Sequence, residues 1–122
     1  MADLSDIGVV GAGFMGSGIA ESAARAGLRV RVYEPSEGPL ETSRVRIAQS
    51  VDRAVRGGKM DAEQGAELQE RITFSSELHS LHGAELVIEA IREDEEIKRA
   101  TFRMLDDALD DSVILASNTS SI

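Results

Sequence analysis

The sequence predicts an α/β fold, a doubly wound parallel sheet with helices on both faces. Three observations predict it. Short, nearly continuous apolar runs alternate with amphipathic helical patterns over the 122-residue chain. A glycine run, Gly11-x-Gly13-x-x-Gly16, stands between the first strand pattern and the first helix pattern. A carboxylate, Glu34, closes the second strand pattern, near the spacing of about 20 residues expected between such a loop and a ribose-binding acid.

Taken in order, residues 6–10 form the first strand, a nearly continuous apolar run as expected of a strand buried on both faces. A helix over about 14–26 follows. Met15, Ile19, Ala23 and Ala26 fall on one face at helical spacing, and the alanines keep the helix slim enough to lie close to a sheet. Gly27 is a natural stop. Residues 28–33 are the second strand, with Arg29 and Arg31 alternating with Val30 and Val32, which predicts one more open face. Pro35 bars simple continuation. Residues 37–57 read as a long helix with Leu40, Ile47, Val51, Ala54 and Val55 inward and Arg44, Arg46, Arg53 and Arg56 largely outward. A short polar helix over 61–70 is opened by Asp61 as N-cap. Strands follow at 72–74, 86–88 and 113–116, with a turn or short helix at 76–81. A helix over about 94–109 carries Ile97, Thr101, Met104, Leu105 and Ala108 as its stripe.

Composition narrows the class. The length suits one small domain with a single core. Hydrophobic residues are 42% of the chain but aromatics only 3%, so that core is aliphatic. A formal net charge of −9 argues against nonspecific nucleic-acid binding, which needs a basic face. There is no cysteine, which excludes disulfides and thiolate metal sites. The apolar part of residues 7–20 is broken by glycines and cannot span a membrane, and the N-terminus lacks the pattern of a signal peptide. A cytoplasmic protein is the expectation. His79 and His82, three apart, lack a nearby carboxylate cluster and are read as surface or loop residues, with no metal expected.

The chemistry gathers at the strand ends. Gly11 permits the tight turn out of the strand, Gly13 lets a pyrophosphate approach the backbone, and Gly16 lets the helix pack on the strand. The helix start then offers N–H groups and a positive dipole end to phosphates. Glu34 can accept both hydroxyls of the adenosine ribose and repels a 2′-phosphate, which selects NAD over NADP. Glu93 and Asp94 stand where a helix start favours negative charge, so capping alone also accounts for them. The arginines of residues 37–57 are either a solvated face or an attractor for a large anionic substrate. With ligands bound beyond the carboxyl ends of the strands, Gly11–Gly16, Glu34, Glu93 and Ser117–Ser121 all fall in one region.

Three segments resemble a known family: Ile7-Gly8-Val9-Val10-Gly11-Ala12-Gly13-Phe14-Met15-Gly16, Val87-Ile88-Glu89-Ala90-Ile91-Arg92-Glu93 and Ala116-Ser117-Asn118-Thr119-Ser120-Ser121. They resemble the N-terminal domain of the 3-hydroxyacyl-CoA dehydrogenases, 3-hydroxybutyryl-CoA dehydrogenases above all, in order and over the whole chain. The resemblance implies a Rossmann fold and hydride exchange between a nicotinamide and a 3-hydroxyacyl-CoA or 3-oxoacyl-CoA, in fatty-acid or butyrate metabolism. It implies that Gly11, Ala12, Gly13, Phe14, Met15 and Gly16 hold the pyrophosphate of NAD and Glu34 its ribose. Glu93 and Lys98 match positions near the nicotinamide. Ser120 matches the active-site serine, whose hydroxyl bonds the substrate oxygen. Ser50 matches a position touching CoA. The basic CoA partner matches Gly57, so Lys59 or Arg56 is the substitute.

The family's catalytic histidine, a later asparagine and a helical C-terminal domain that completes the site and the dimer find no match in this sequence. His79 and His82 precede the fourth strand and do not match the histidine. The expectation is a truncated dinucleotide-binding domain over 1–122 that binds NAD(H) without turnover, from an enzyme that is a homodimer at full length. Two other readings remain: another Rossmann hydroxyacid dehydrogenase, or a stand-alone, non-catalytic nucleotide-binding module.

Overall fold

A computed structural model of the chain describes residues 4–91, 95–109 and 112–117. The strands are β1 (Asp6–Val10), β2 (Arg29–Tyr33), β3 (Ile72–Ser75), β4 (Leu86–Glu89) and β5 (Ile114–Ser117). The helices are α1 (Phe14–Arg25), α2 (Glu37–Arg56), α3 (Ala62–Glu70) and α4 (Glu95–Ala108), with a 3₁₀ turn at Leu78–Leu81. The sheet is parallel throughout, in the order β3-β2-β1-β4-β5. The chain runs outward from β1 in one direction, then returns past it and runs outward in the other. The switch point lies between β1 and β4, where an open α/β sheet leaves a crevice.

The two sheet faces carry two halves of the core. On one face Ile7, Val9, Val30, Val32 and Ile72 pack under Ala20 and Ala24 of α1, Leu40, Ile47 and Val51 of α2 and Leu68 of α3. On the other, Val10, Tyr33 and Val87 pack against Leu81 and Ala84, which flank the end of the 3₁₀ turn, and Leu105 of α4. A strand covered on both faces is why β1 reads as a nearly continuous apolar run.

The face that α1 buries differs from the expected one. Gly16, Ser17, Ala20 and Ala24 are buried, Ile19 and Ala23 are half-buried, and Met15 and Ala26 are exposed. The reason is clearance. A Cβ at Gly16 would overlap the carbonyl oxygen of Gly11, so only the smallest residues fit the line of closest approach. The bulkier Phe14 and Met15 are turned to the outside, 82% and 55% exposed. The expected open face of β2 is also closed over Arg31. Its guanidinium makes a two-pronged pair with Asp6, 2.7 Å on both prongs, and donates to the Ser80 carbonyl oxygen at 3.2 Å. That pairing raises the Arg31 pKa above its ordinary value, with burial acting in the opposite direction.

Local signals explain the boundaries. Asp61 accepts from the Gln64 backbone N–H at 2.7 Å, and Gln64 reaches back to the Asp61 N–H at 2.9 Å, a complete capping box. Gly27 takes φ +100° just after α1, the left-handed conformation a chain reversal requires there. At the N-terminal end of the sheet, Glu85 clips β1 in place by accepting from the Ser5 and Asp6 backbone N–H groups at 2.8 and 3.0 Å.

Two predictions follow from this packing. Gly16→Val forces α1 off β1, and overpacking of about 2 kcal/mol lowers the thermal midpoint by about 10 °C, measured by circular dichroism. The N–H groups of Ser5 and Asp6, then the Ser5 hydroxyl, hold the Glu85 carboxyl below the usual carboxylate range. A depressed folded-state pKa stabilises above the unfolded value and ceases to do so as pH falls through the folded value. Glu85→Gln therefore lowers the urea midpoint at pH 7, and the difference from wild type closes under strong acid.

Candidate cofactor and substrate site

The last register row of the sheet joins Val10 to Tyr33 and Glu89, and Glu89 to Ser117. Everything that leaves these strands leaves at one edge. Gly11 leaves first, at φ +113°, with the position of a Cβ only 2.8 Å from the Ala90 carbonyl oxygen. A side chain is excluded there, so the β1–α1 and β4–α4 connections close on each other. Gly13, the N-cap of α1, has no atom within 4 Å of a would-be Cβ. Its backbone faces open space, and no side chain caps the helix or adds negative charge to its first turn. An anion is the natural partner of such a helix start.

Glu34 meets this loop from β2. Its Oε1 accepts from the Ala12 backbone N–H at 3.1 Å and its Oε2 from the Ser36 N–H at 3.1 Å. The two motifs read from the sequence thus touch directly. They share a cleft of about 460 Å³ lined by Gly11, Ala12, Gly13, Tyr33, Glu34, Pro39, Ala90, Ile91, Thr101 and Met104. Burial, then the Glu34 and Glu77 carboxylates, raise the Tyr33 pKa and keep its phenol protonated. An open glycine backbone at one end and a fixed carboxylate at the other fit the pyrophosphate and ribose of a dinucleotide. Thr101 and Met104, expected in the buried stripe of α4, form the far wall. They line the cleft, whereas Leu105 of the same helix is fully buried.

A second, polar hollow of about 620 Å³ lies in the seam between α1 and α2, lined by Gly18, Glu21, Ser22, Arg25, Ser50, Arg53, Ala54 and Lys59. Ser50 and Lys59 come together here as the sequence pairs them. The Ser50 hydroxyl donates to Glu21 Oε2 at 2.8 Å, and Glu21 also pairs with Arg25 at 3.1 Å. Arg56, the other candidate, instead pairs with Asp52 at 2.8 Å and does not line the hollow. Arg25 escaped notice because it closes a different helix, and only the α1–α2 contact brings it beside Ser50. Gly18 and Ser22 also border an adjoining apolar hollow of about 750 Å³ that includes Phe14, Met15, Ile19 and Ile88.

Glu93 and Ser120 lie outside the described residues, as does the Lys98 side chain. Neither histidine joins the cleft. His79 stands 3.9 Å from Glu77 on the exposed 3₁₀ turn, and His82 lines a hollow with Leu4, Glu85 and Ser112. Among the described residues no three metal-ligating side chains come together, and no helix is long and apolar enough to cross a membrane.

Comparison with known proteins agrees with this geometry. Residues 6–122 match the family described as 3-hydroxyacyl-CoA dehydrogenase, NAD binding domain. The 3-hydroxybutyryl-CoA dehydrogenase of Mycobacterium tuberculosis is 48% identical over 117 residues, covering 95% of this chain and 41% of that protein. A probable 3-hydroxybutyryl-CoA dehydrogenase of Bacillus subtilis is 38% identical over 120 residues, 98% of this chain and 42% of that one. The crystal structure of M. tuberculosis FadB2 superposes with a TM-score of 0.94 at 46% identity, over 99% of this chain and 43% of that one. The chain thus spans about two-fifths of the length of these relatives. With the glycine loop, Glu34 and the switch point in one cleft, and the match running from β1 through β5, this chain belongs to the family of 3-hydroxyacyl-CoA dehydrogenase NAD-binding domains, and its cofactor is NAD.

Proposed function

We propose that residues 1–122 form the single dinucleotide-binding domain of a cytoplasmic, homodimeric NAD-dependent dehydrogenase. It interconverts 3-hydroxyacyl-CoA and 3-oxoacyl-CoA thioesters, with the 3-hydroxybutyryl thioester as the substrate type. The observation that carries this reading is a pair of hollows along α1, one at its N-terminal end and one in its seam with α2. The dinucleotide cleft lies beside Gly11–Gly13, and the basic hollow holds Ser50 and Lys59. A nucleotide cofactor and a nucleotide-bearing thioester each need an anion site, and the two hollows supply one each.

Each residue has a distinct task in this reading. The backbone of Gly11, Ala12, Gly13, Phe14, Met15 and Gly16 holds the pyrophosphate. Glu34 exchanges its bond from the Ala12 N–H for the ribose hydroxyls and disfavours a 2′-phosphate by charge repulsion. Glu93 and Lys98 orient the nicotinamide end. Ser50 and Lys59 hold CoA, with Arg25 and Arg53 adding positive charge to the same hollow. NAD supplies the hydride acceptor or donor. The Ser120 hydroxyl donates to the substrate oxygen and fixes its position. Proton transfer at that oxygen needs a base of pKa near the working pH within hydrogen-bond reach. Neither His79 nor His82 lines the cleft, so this chain alone binds NAD(H) without turnover.

Fluorescence titration with NADH and NADPH tests the cofactor half. NADH binds more tightly, and Glu34→Gln weakens it about tenfold, one charge-assisted hydrogen bond, while narrowing the preference. Equal binding of NADPH by the wild type overturns the role of Glu34, and turnover of acetoacetyl-CoA with NADH by this chain overturns the non-catalytic reading. Calorimetry with coenzyme A tests the other half. Lys59→Ala weakens coenzyme A severalfold with a shallower salt dependence, as expected when one phosphate contact is lost, and leaves NADH binding unchanged.

A further inference from the structure

Arg46 lies on α2, between the polar hollow and the start of α1. Its Nη1 donates to the Ser17 hydroxyl at 3.3 Å, and its guanidinium covers the Phe14 ring at 5.4 Å. Ser17 is buried and saturated. Its hydroxyl donates to the Gly13 carbonyl oxygen at 2.8 Å and accepts from Ser43 at 2.7 Å and from Arg46. The hydroxyl pair therefore fixes Arg46 against the first turn of α1. Long helical side chains lean toward the helix N-terminus, which is why a residue one turn beyond Ser43 reaches back to Phe14.

Among the described residues the charge on Arg46 has no carboxylate counterpart. Arg25, Arg31, Arg44 and Arg56 each pair with a carboxylate, whereas no described carboxylate pairs with Arg46. A chain of net charge −9 has ample carboxylates to supply one. The remaining N–H donors of its fork have no partner among the described residues. Phe14 beneath it is 82% exposed, so the pair is displayed and not packed away. Between Arg46 and the hollow, Gly18 leaves α1 bare, with no atom within 4 Å of a would-be Cβ.

We propose that Arg46 binds the diphosphate of the acyl-CoA substrate. This rests on the substrate reading above and extends it. Arg53, two turns along α2 from Arg46, is about 10 Å away along the helix axis. CoA carries two separated anionic groups, a ribose 3′-phosphate and a 5′-diphosphate, followed by an uncharged arm. The seam offers the same order: the Arg25–Arg53–Lys59 end, then Arg46, then Phe14 and Met15 beside the apolar hollow. A planar fork suits a diphosphate better than an ammonium, because it donates two parallel N–H bonds to two oxygens.

Calorimetric titration of the full chain with coenzyme A and with NADH, in wild type, Arg46→Gln and Arg46→Lys, tests the proposal. Arg46→Gln weakens coenzyme A about tenfold and NADH less than about twofold, and Arg46→Lys recovers part of the loss. Unchanged coenzyme A affinity in Arg46→Gln overturns the proposal and leaves the substrate reading intact. A loss for NADH as large as that for coenzyme A also overturns it and gives Arg46 to the dinucleotide phosphates. A wild type that binds NADH but not coenzyme A overturns both the proposal and the substrate reading. Phenylglyoxal labelling of the wild type, read at Arg46 by mass spectrometry, needs no variant to fold. Coenzyme A slows labelling there and NADH does not, and equal labelling with and without coenzyme A overturns the assignment.

Discussion

The contact between the first turn of α1 and the end of β1 is the constraint on which the rest depends. Gly16 lies against the Gly11 carbonyl with no room for a Cβ, and Gly11 in turn lies against Ala90. These two approaches pull α1 onto the sheet and draw the β1–α1 and β4–α4 connections together. They leave the N-terminus of α1 uncapped and facing outward at the switch point. Helix packing and anion binding are thus one geometric fact. A larger residue at position 16 would lift the helix and carry its N–H groups away from Glu34.

Charge is distributed around this constraint with a clear division. The chain is acidic overall, yet the α1–α2 seam gathers Arg25, Arg46, Arg53 and Lys59. Elsewhere Arg31, Arg44 and Arg56 each pair with a carboxylate. Arg31 is locked to Asp6 between β1 and β2, and Arg44 and Arg56 bond neighbours one turn away on α2. Locally paired arginines on exposed helix faces contribute little to stability. In the seam, Arg25, Arg53 and Lys59 line open volume, with Arg25 also paired to Glu21. An acidic background also weakens nonspecific anion binding, so affinity for phosphates is confined to places where the fold concentrates positive charge.

The polar interior shows the same economy. Ser17 and Ser43 are fully buried where α1 crosses α2, and each satisfies the other. A pair of small hydroxyls lets two helices approach closely and still supplies a bonding point for Arg46. From sequence alone Ser17 and Ser43 look like ordinary helix-surface serines, because their meeting depends on the crossing of two helices 26 positions apart in the chain. The place of Arg25 in the seam is hidden from the sequence for the same reason, and helical periodicity puts Thr101 and Met104 on a face without saying what that face meets.

What the sequence determined by itself is the set of features carried by local pattern. Strand and helix order, the parallel sheet, the N-cap at Asp61, the glycine loop and the carboxylate after β2 are all written in runs of adjacent residues. Backbone conformation and side-chain period act within such runs. The family match over residues 6–122 extends the same local patterns. What only the tertiary structure decided is the relation between distant segments. It set which face α1 buries, the bond from the Ala12 N–H to Glu34, and the meeting of Ser50 with Lys59 and of Arg46 with Phe14. The physical reason is that these depend on distances across the sheet and between helices, and close packing sets those distances only once every element is in place.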